Sequence, residues 1–190
     1  MKEERATVPD VVDEVMADWR AEIPEAAELP GELAKRVQRL ASILNEATDR
    51  ALAPLGLQKA EFGVLSTLRR VGPPYRLKPN ELTRALFISS GGTSNVLRRL
   101  ESAGFIERGD DPTDQRSSWV RLTREGVRMA EQAVQAWAAA QTSALAPVPE
   151  RAAREAANRL REVLVALGDA RPQNRAPSRT RRRPDTRKVG

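Results

Sequence analysis

Apolar residues recur at three- and four-residue spacing along most of the chain, the period of a helix with one buried face. Val12, Val15, Met16, Trp19 and Ile23 form a first stripe. The prolines and glycine of "AEIPEAAELPG" are expected to break it. Leu33, Val37, Leu40, Ile43, Leu44, Ala47 and Ala51 form a longer stripe that should stop at Pro54 and Gly56. Val127, Ala130, Val134, Trp137 and Ala138 make a third, interrupted by "APVP" at 146–149. Ala153, Ala156, Leu160, Val163, Leu164 and Leu167 then give a seam close to a heptad. The last 22 residues carry no periodicity and read as a disordered basic tail.

The middle third changes pattern more often. Phe62, Leu65 and Leu68 lie on one helical face, and "VGPPYRL" is a turn followed by a short extended piece. Pro79 stands where a first helical turn tolerates it, ahead of Leu82, Ala85 and Leu86. Only three or four residues separate that helix from one beginning near Ser90, the spacing of a helix-turn-helix. In this next helix Val96, Leu97, Leu100 and Ala103 face inward, while Ser90, Gly91, Ser94, Asn95 and Arg98 face outward, with Arg99 at the edge. Gly104 should end it. "FIER" reads as a strand, "GDDPTDQRSS" as a turn-rich hairpin loop, and "WVRLT" as the returning strand. Thr123 then caps another helix. The order is that of a winged helix-turn-helix, mostly α with a small β wing, flanked by terminal helices. Its second helix starts with the small and polar run Ser89–Asn95, which lets the helix end approach a groove closely. A phosphate-binding loop is the weaker reading, because the run lacks the P-loop glycine spacing and its Lys-Ser/Thr ending.

Charge sharpens this picture. The formal net charge is +6, but residues 169–190 alone hold eight basic and two acidic residues, so the body is neutral. Within it, residues 1–56 carry 7 basic and 12 acidic side chains, and residues 57–126 carry 12 and 8. The basic face therefore coincides with the helix-turn-helix, as phosphate contact requires. The chain has no histidine and no cysteine. That removes Ser-His-Asp, Cys-His and His-ligated metal chemistry, disulfides and thiol switches. Paired carboxylates in an apolar setting do not stand out either, so no enzymatic role and no cofactor is expected. No run is long and apolar enough to span a bilayer, and the charged N-terminus lacks a signal core, which predicts a cytoplasmic protein.

Three segments carry a resemblance to a known family: "AEFGVLSTLRR", "ELTRALFISSGGTSNVLRRLESAGFIER" and "DPTDQRSSWVRLTREG". Over roughly residues 31–167 the chain resembles the multiple-antibiotic-resistance regulator (MarR) family of bacterial transcription factors. The resemblance implies a homodimer held by terminal helices, with two recognition helices on double-stranded DNA. It also implies a wing whose Asp-x-Arg pair, here Asp114 and Arg116, places an arginine in the minor groove, where a narrow groove attracts guanidinium. Small phenolic or amphipathic effectors commonly bind in the family where the dimer helices meet the DNA-binding lobe. One branch carries an extra N-terminal helix with a tryptophan, matched by Trp19 in "ADWRAEIPE". Its urate-responsive members join that tryptophan to an aspartate and two arginines, at positions that fall on Gly63, Val96 and Arg108 here. Two of those three groups are absent, which implies a less polar pocket for a larger aromatic or anionic ligand.

The expected organisation is therefore N-terminal helices over 1–56, a DNA-binding lobe over 57–126, C-terminal dimerisation helices over 127–168 and the basic tail over 169–190. The expected function is a ligand-responsive repressor that binds a palindromic operator as a homodimer. Its DNA contacts are Ser89, Ser90, Gly91, Thr93, Ser94, Asn95, Arg98, Arg99, Asp114 and Arg116, and its effector site is Trp19, Gly63, Val96 and Arg108. An architectural DNA-binding protein without ligand control is the alternative. A protein–protein module on the same fold also stays open. Plainer roles compete at single residues. Trp19, Trp119 and Trp137 are each of a type usually found in a core, Arg98 and Arg99 could form a solvated face, and Asp114 could simply shape a turn.

Overall fold

Asp10 opens the first helix, α1 (Val11–Glu22). Its carboxylate accepts hydrogen bonds from the backbone N–H groups of Val12 (2.8 Å) and Asp13 (3.1 Å), and the Asp13 carboxylate accepts one from the Asp10 N–H (2.7 Å). This reciprocal cap satisfies donors that a helix start otherwise leaves unpaired. The computed structural model describes residues 8–86, 90–111 and 114–169. Val12 and Met16 are buried as α1 packs on the second helix, α2 (Leu29–Leu52).

Arg36 of α2 ties the two helices together. Its guanidinium donates to Asp10 (3.0 Å) and Asp13 (2.7 Å) and also pairs with Glu32. Partial desolvation alone would raise the Asp10 pKa. The hydrogen bond from Arg36 and those from the Asp13 and Val12 N–H groups together outweigh it, so Asp10 titrates below its ordinary 3.8. A carboxyl group depressed in the folded state stabilises the fold above its unfolded pKa, and that contribution disappears as pH falls through the folded value. Acidification from above 3.8 should therefore loosen α1 from α2. In chemical denaturation the difference between the unmutated protein and Arg36→Gln should shrink to nothing at the acid end.

The break expected in "AEIPEAAELPG" occurs, since α1 ends at Glu22, but its last residues "LPG" already belong to α2. Residues Pro24–Ala27 form a single 3-10 turn, and α2 then starts at Leu29 with Pro30 inside its first turn. Proline is tolerated there because the missing N–H has no helical acceptor. Gly31 is required for packing, since a Cβ at that position would stand 2.2 Å from the Ala26 carbonyl oxygen. The helix ends as expected, in a 3-10 turn at Ala53–Leu55 followed by Gly56 in the left-handed conformation (φ 65°).

The lobe follows as α3 (Lys59–Arg70), β1 (Arg76–Leu77), α4 (Pro79–Leu86), α5 (Ser90–Ser102), β2 (Ile106–Asp111) and β3 (Asp114–Leu122). The strands form an antiparallel sheet in the order β1-β3-β2. Register places Leu77 opposite Val120 and Ile106 opposite Leu122, so the apolar pairs share the inner face. That face closes over Val64, Leu65 and Leu68 of α3, Leu82 of α4 and Leu97 and Leu100 of α5. The sixth helix, α6 (Arg124–Leu145), is capped by Thr123, whose hydroxyl accepts from the Gly126 N–H (2.9 Å). Ala130 and Ala133 are fully buried, and these small side chains let α6 lie close against α2 and α3.

Two expectations need correction. The wing is longer than its apolar alternation, because β2 runs to Asp111 and β3 starts at Asp114, inside the stretch read as loop. Backbone pairing extends the hairpin beyond the core, with a register shift at Asp110/Asp111, where neither face needs apolar side chains. None of the three tryptophans is buried in the single chain. Trp119 is half-buried, and Trp19 and Trp137 are more exposed still.

Residues through Ala146 form one compact unit. The last helix, α7 (Glu150–Ala166), belongs to a second unit. Its apolar seam is largely exposed, with Leu164 at 50% and Leu167 at 78%. The tail from 170 onward lies outside the described residues. Among the described residues no helix is long and apolar enough to cross a membrane.

Candidate nucleic-acid interface

The second helix of the helix-turn-helix is α5. Its inner side holds Leu97 and Leu100, both buried, with Val96 half-buried against the same core. Its outer side presents Ser94, Asn95 and Arg98, all exposed. The backbone is helical from Ser90, so Ser90, Gly91 and Thr93 belong to the first turn as expected. Ser89 lies outside the described residues, and so do the side chains of Ser90–Thr93.

Three side chains on α5 behave differently. Arg98 donates to the Asn95 amide oxygen across one turn (2.9 Å). Arg99 instead reaches back to α3, where its Nε meets the Glu61 carboxylate at 3.0 Å and its Nη1 donates to the Gln58 amide oxygen at 3.2 Å. Glu61 is only 4% exposed and also accepts from the Gln58 backbone N–H (2.8 Å). A buried carboxylate needs such partners, since an unpaired one carries a large desolvation penalty. Glu61 is a residue that sequence reasoning missed. A lone glutamate at the start of a helix ordinarily reads as a solvated cap.

On the wing, Asp114 and Arg116 sit in the first three residues of β3, with Asp114 opposite Asp111. Their side chains lie outside the described residues. The outer face of the sheet is built by a second pair that the pattern did not reveal. Trp119 covers Gly109 on the neighbouring strand so closely that a Cβ there would stand 2.2 Å from the indole ring. The Arg121 guanidinium lies over that indole at 5.1 Å and donates to Glu107 at 2.7 Å.

The four positions flagged for an effector lie on four different elements. Trp19 is in the last turns of α1, whose packing partners are the 3-10 turn and α2. Gly63 faces Leu86, whose Cδ2 would stand 3.1 Å from an added Cβ. Val96 packs into the lobe core, and Arg108 pairs with Glu101 at 3.1 Å. A distinct cleft of about 630 Å³ opens between α3 and α6. Phe62 and Trp137 line it with ring centroids 6.1 Å apart. Arg69 stands at its edge, donating twice to Glu131 (3.0 and 2.8 Å) and lying over the Tyr75 ring at 5.1 Å. Phe62 and Trp137 had looked like separate helix stripes, because nothing in the sequence shows that α3 and α6 place them together. Among the described residues no group of three or more acidic side chains is placed to hold a metal ion.

The comparisons with known proteins agree with this geometry. The pattern of the MarR family matches residues 55–117, from the turn after α2 to the wing. The transcriptional regulator PecS of Dickeya dadantii is 30% identical over 139 residues, covering 73% of this chain and 84% of that protein. Among solved structures, a mutant MarR from Escherichia coli complexed with operator DNA has a TM-score of 0.64 at 24% identity, covering 77% of this chain and 97% of that one. An organohalide-sensing regulator in its 2,4-dichlorophenol-bound form reaches 0.67 at 19% identity, covering 76% and 85%. With a winged helix-turn-helix in place, and with most of PecS matched along its length, the chain belongs to the MarR family of transcriptional regulators.

Proposed function

We propose that this chain is a ligand-controlled repressor that binds a pseudo-palindromic operator as a homodimer and leaves it when a small aromatic or anionic effector binds. The observation that carries the reading is α5. Its first turn is built from small residues, and its exposed side holds only polar and cationic groups from Ser94 to Arg98. A helix end of that kind fits a major groove. Arg116, two residues into β3, supplies the minor-groove contact. Homodimerisation is supported by apolar faces left open in the single chain, on α7 and along Leu29, Leu33 and Val37 of α2. The lobe over 57–126 reads DNA, and the helices over 1–56 and 127–168 join the subunits.

The effector belongs in the cleft between α3 and α6. Phe62 and Trp137 offer aromatic walls and Arg69 and Arg70 a cationic edge, which suits a phenol or an aromatic acid. The set of Trp19, Gly63, Val96 and Arg108 is the second candidate. A ligand there has to displace the Arg108–Glu101 pair and the contact of Leu86 on Gly63.

Footprinting and titration test both parts. The protein should protect two half-sites whose centres lie about one turn, ~34 Å, apart. Arg116→Ala should weaken operator binding by about 1–3 kcal/mol and lower the salt slope by about one unit. Phenols and aromatic acids, 2,4-dichlorophenol, benzoate and urate among them, should release DNA and quench tryptophan fluorescence. A response lost in Trp137→Phe assigns the effector to the α3–α6 cleft. A response lost instead in Trp19→Phe and Arg108→Ala assigns it to the second set. Uniform coverage of DNA without a preferred site would make the protein architectural instead.

A further inference from the structure

Two adjacent arginines on α5 have different duties. Arg99 is tied back to Glu61 of α3 and to its N-cap Gln58, although its side chain stays about half exposed. Arg98 lies on the outer side beside Asn95 and donates to its side chain. Guanidinium carries only donors, so the Asn95 atom in that bond is necessarily the amide oxygen, whichever way the amide is drawn. The pairing leaves outward the Asn95 NH2 group and the remaining N–H groups of Arg98. Together they make a patch of donors with one positive charge.

We propose that the Asn95–Arg98 pair reads one base pair in each half-site as a unit and selects guanine over adenine there. This rests on the DNA-reading function proposed above. In the major groove guanine shows two acceptors, N7 and O6, whereas adenine shows one acceptor and the N6 amine. A donor patch meets both guanine acceptors. Asparagine by itself has the opposite preference, because its oxygen takes a hydrogen bond from the adenine amine while its NH2 group donates to N7. Here that oxygen already accepts from Arg98. Its second lone pair would have to meet the adenine amine beside a cation whose own donors face another donor. Arg98 thus changes what Asn95 reads: alone, Asn95 favours adenine, whereas Arg98 favours guanine with or without its partner.

The test uses full-length protein, a duplex library of randomised sequence, and sequencing of the bound fraction. The unmutated protein should enrich guanine over adenine about tenfold at one position per half-site, the scale of one good side-chain contact to a base. Arg98→Ala should reverse that position toward adenine, because the Asn95 oxygen is released. Asn95→Ala should reduce the guanine preference without gaining adenine, because Arg98 alone still only donates. Both side chains are exposed on the helix surface, so the variants should fold, and circular dichroism checks this. The inference is overturned if Arg98→Ala enriches the same bases as the unmutated protein, or if the unmutated protein already prefers adenine where Asn95→Ala flattens the selection. Tight binding with no enriched sequence would instead remove the regulator reading, and the inference with it.

Discussion

Leu160→Glu combined with Leu164→Glu should convert the protein to monomers and greatly weaken operator binding. In α7 the seam from Ala153 to Leu167 has little covering it, with Val163, Leu164 and Leu167 all exposed. Burying one leucine is worth about 1.5–3 kcal/mol. A symmetric dimer places two such leucines from each chain in the interface, so the double substitution removes several kcal/mol and adds four carboxylates to a desolvated surface. Loss of the dimer also separates the two recognition helices. Linked half-site contacts act at high effective concentration, so operator affinity should fall roughly 100-fold or more. Light scattering and fluorescence anisotropy measure the two effects. A dimeric double variant, or a monomeric unmutated chain, would remove α7 from the interface.

Gly126→Ala should destabilise the lobe by about 3 kcal/mol, at the upper end of the usual cost of overpacking. A Cβ there would stand 1.8 Å from the Phe105 carbonyl oxygen and 2.8 Å from its carbon. Both are backbone atoms at the entrance to β2, and the local hydrogen bonds hold them in place. Thr123 donates its N–H to the same Phe105 oxygen (3.1 Å) and its hydroxyl to the Gly104 carbonyl (2.7 Å), while Gly126 donates to that hydroxyl. Relief therefore requires moving α6 away from the sheet. Gly109→Ala makes the contrast, because its obstacle is the Trp119 side chain, which can rotate. Urea denaturation should separate the two clearly. Equal midpoints would mean that the α6 start yields more easily than these bonds imply.

Helical periodicity was enough to find each α-helix among the described residues, because an apolar stripe leaves a repeating trace in the chain. It did not tell which stripes the single chain buries, since Leu33 and Val37 of α2 and the seam of α7 stay exposed. The caps were legible for the same local reason, as at Thr123 and Gly104. The start of α2 was not, since Pro30 and Gly31 read as breakers and the contact that makes Gly31 necessary comes from Ala26 in a preceding turn. The length of the wing was hidden because strands paired beyond a core need no alternation. At the site, the outward face of α5 was readable from spacing alone. The tie from Arg99 to Glu61 spans 38 positions, and the Phe62–Trp137 pair spans 75. Neither leaves a periodic signal, so only the folded chain reveals them.

The tie between Arg99 and Glu61 also bears on how such a protein changes over generations. The pose of α5 is held from behind, by a carboxylate that water barely reaches. Asn95 and Arg98, the exposed neighbours of Arg99, bond to each other rather than to α3 and contribute little to that hold. Replacing them alters the DNA sequence recognised while the helix keeps its angle. A lineage can then acquire a new binding site through one or two exposed substitutions, without first passing through an unfolded intermediate.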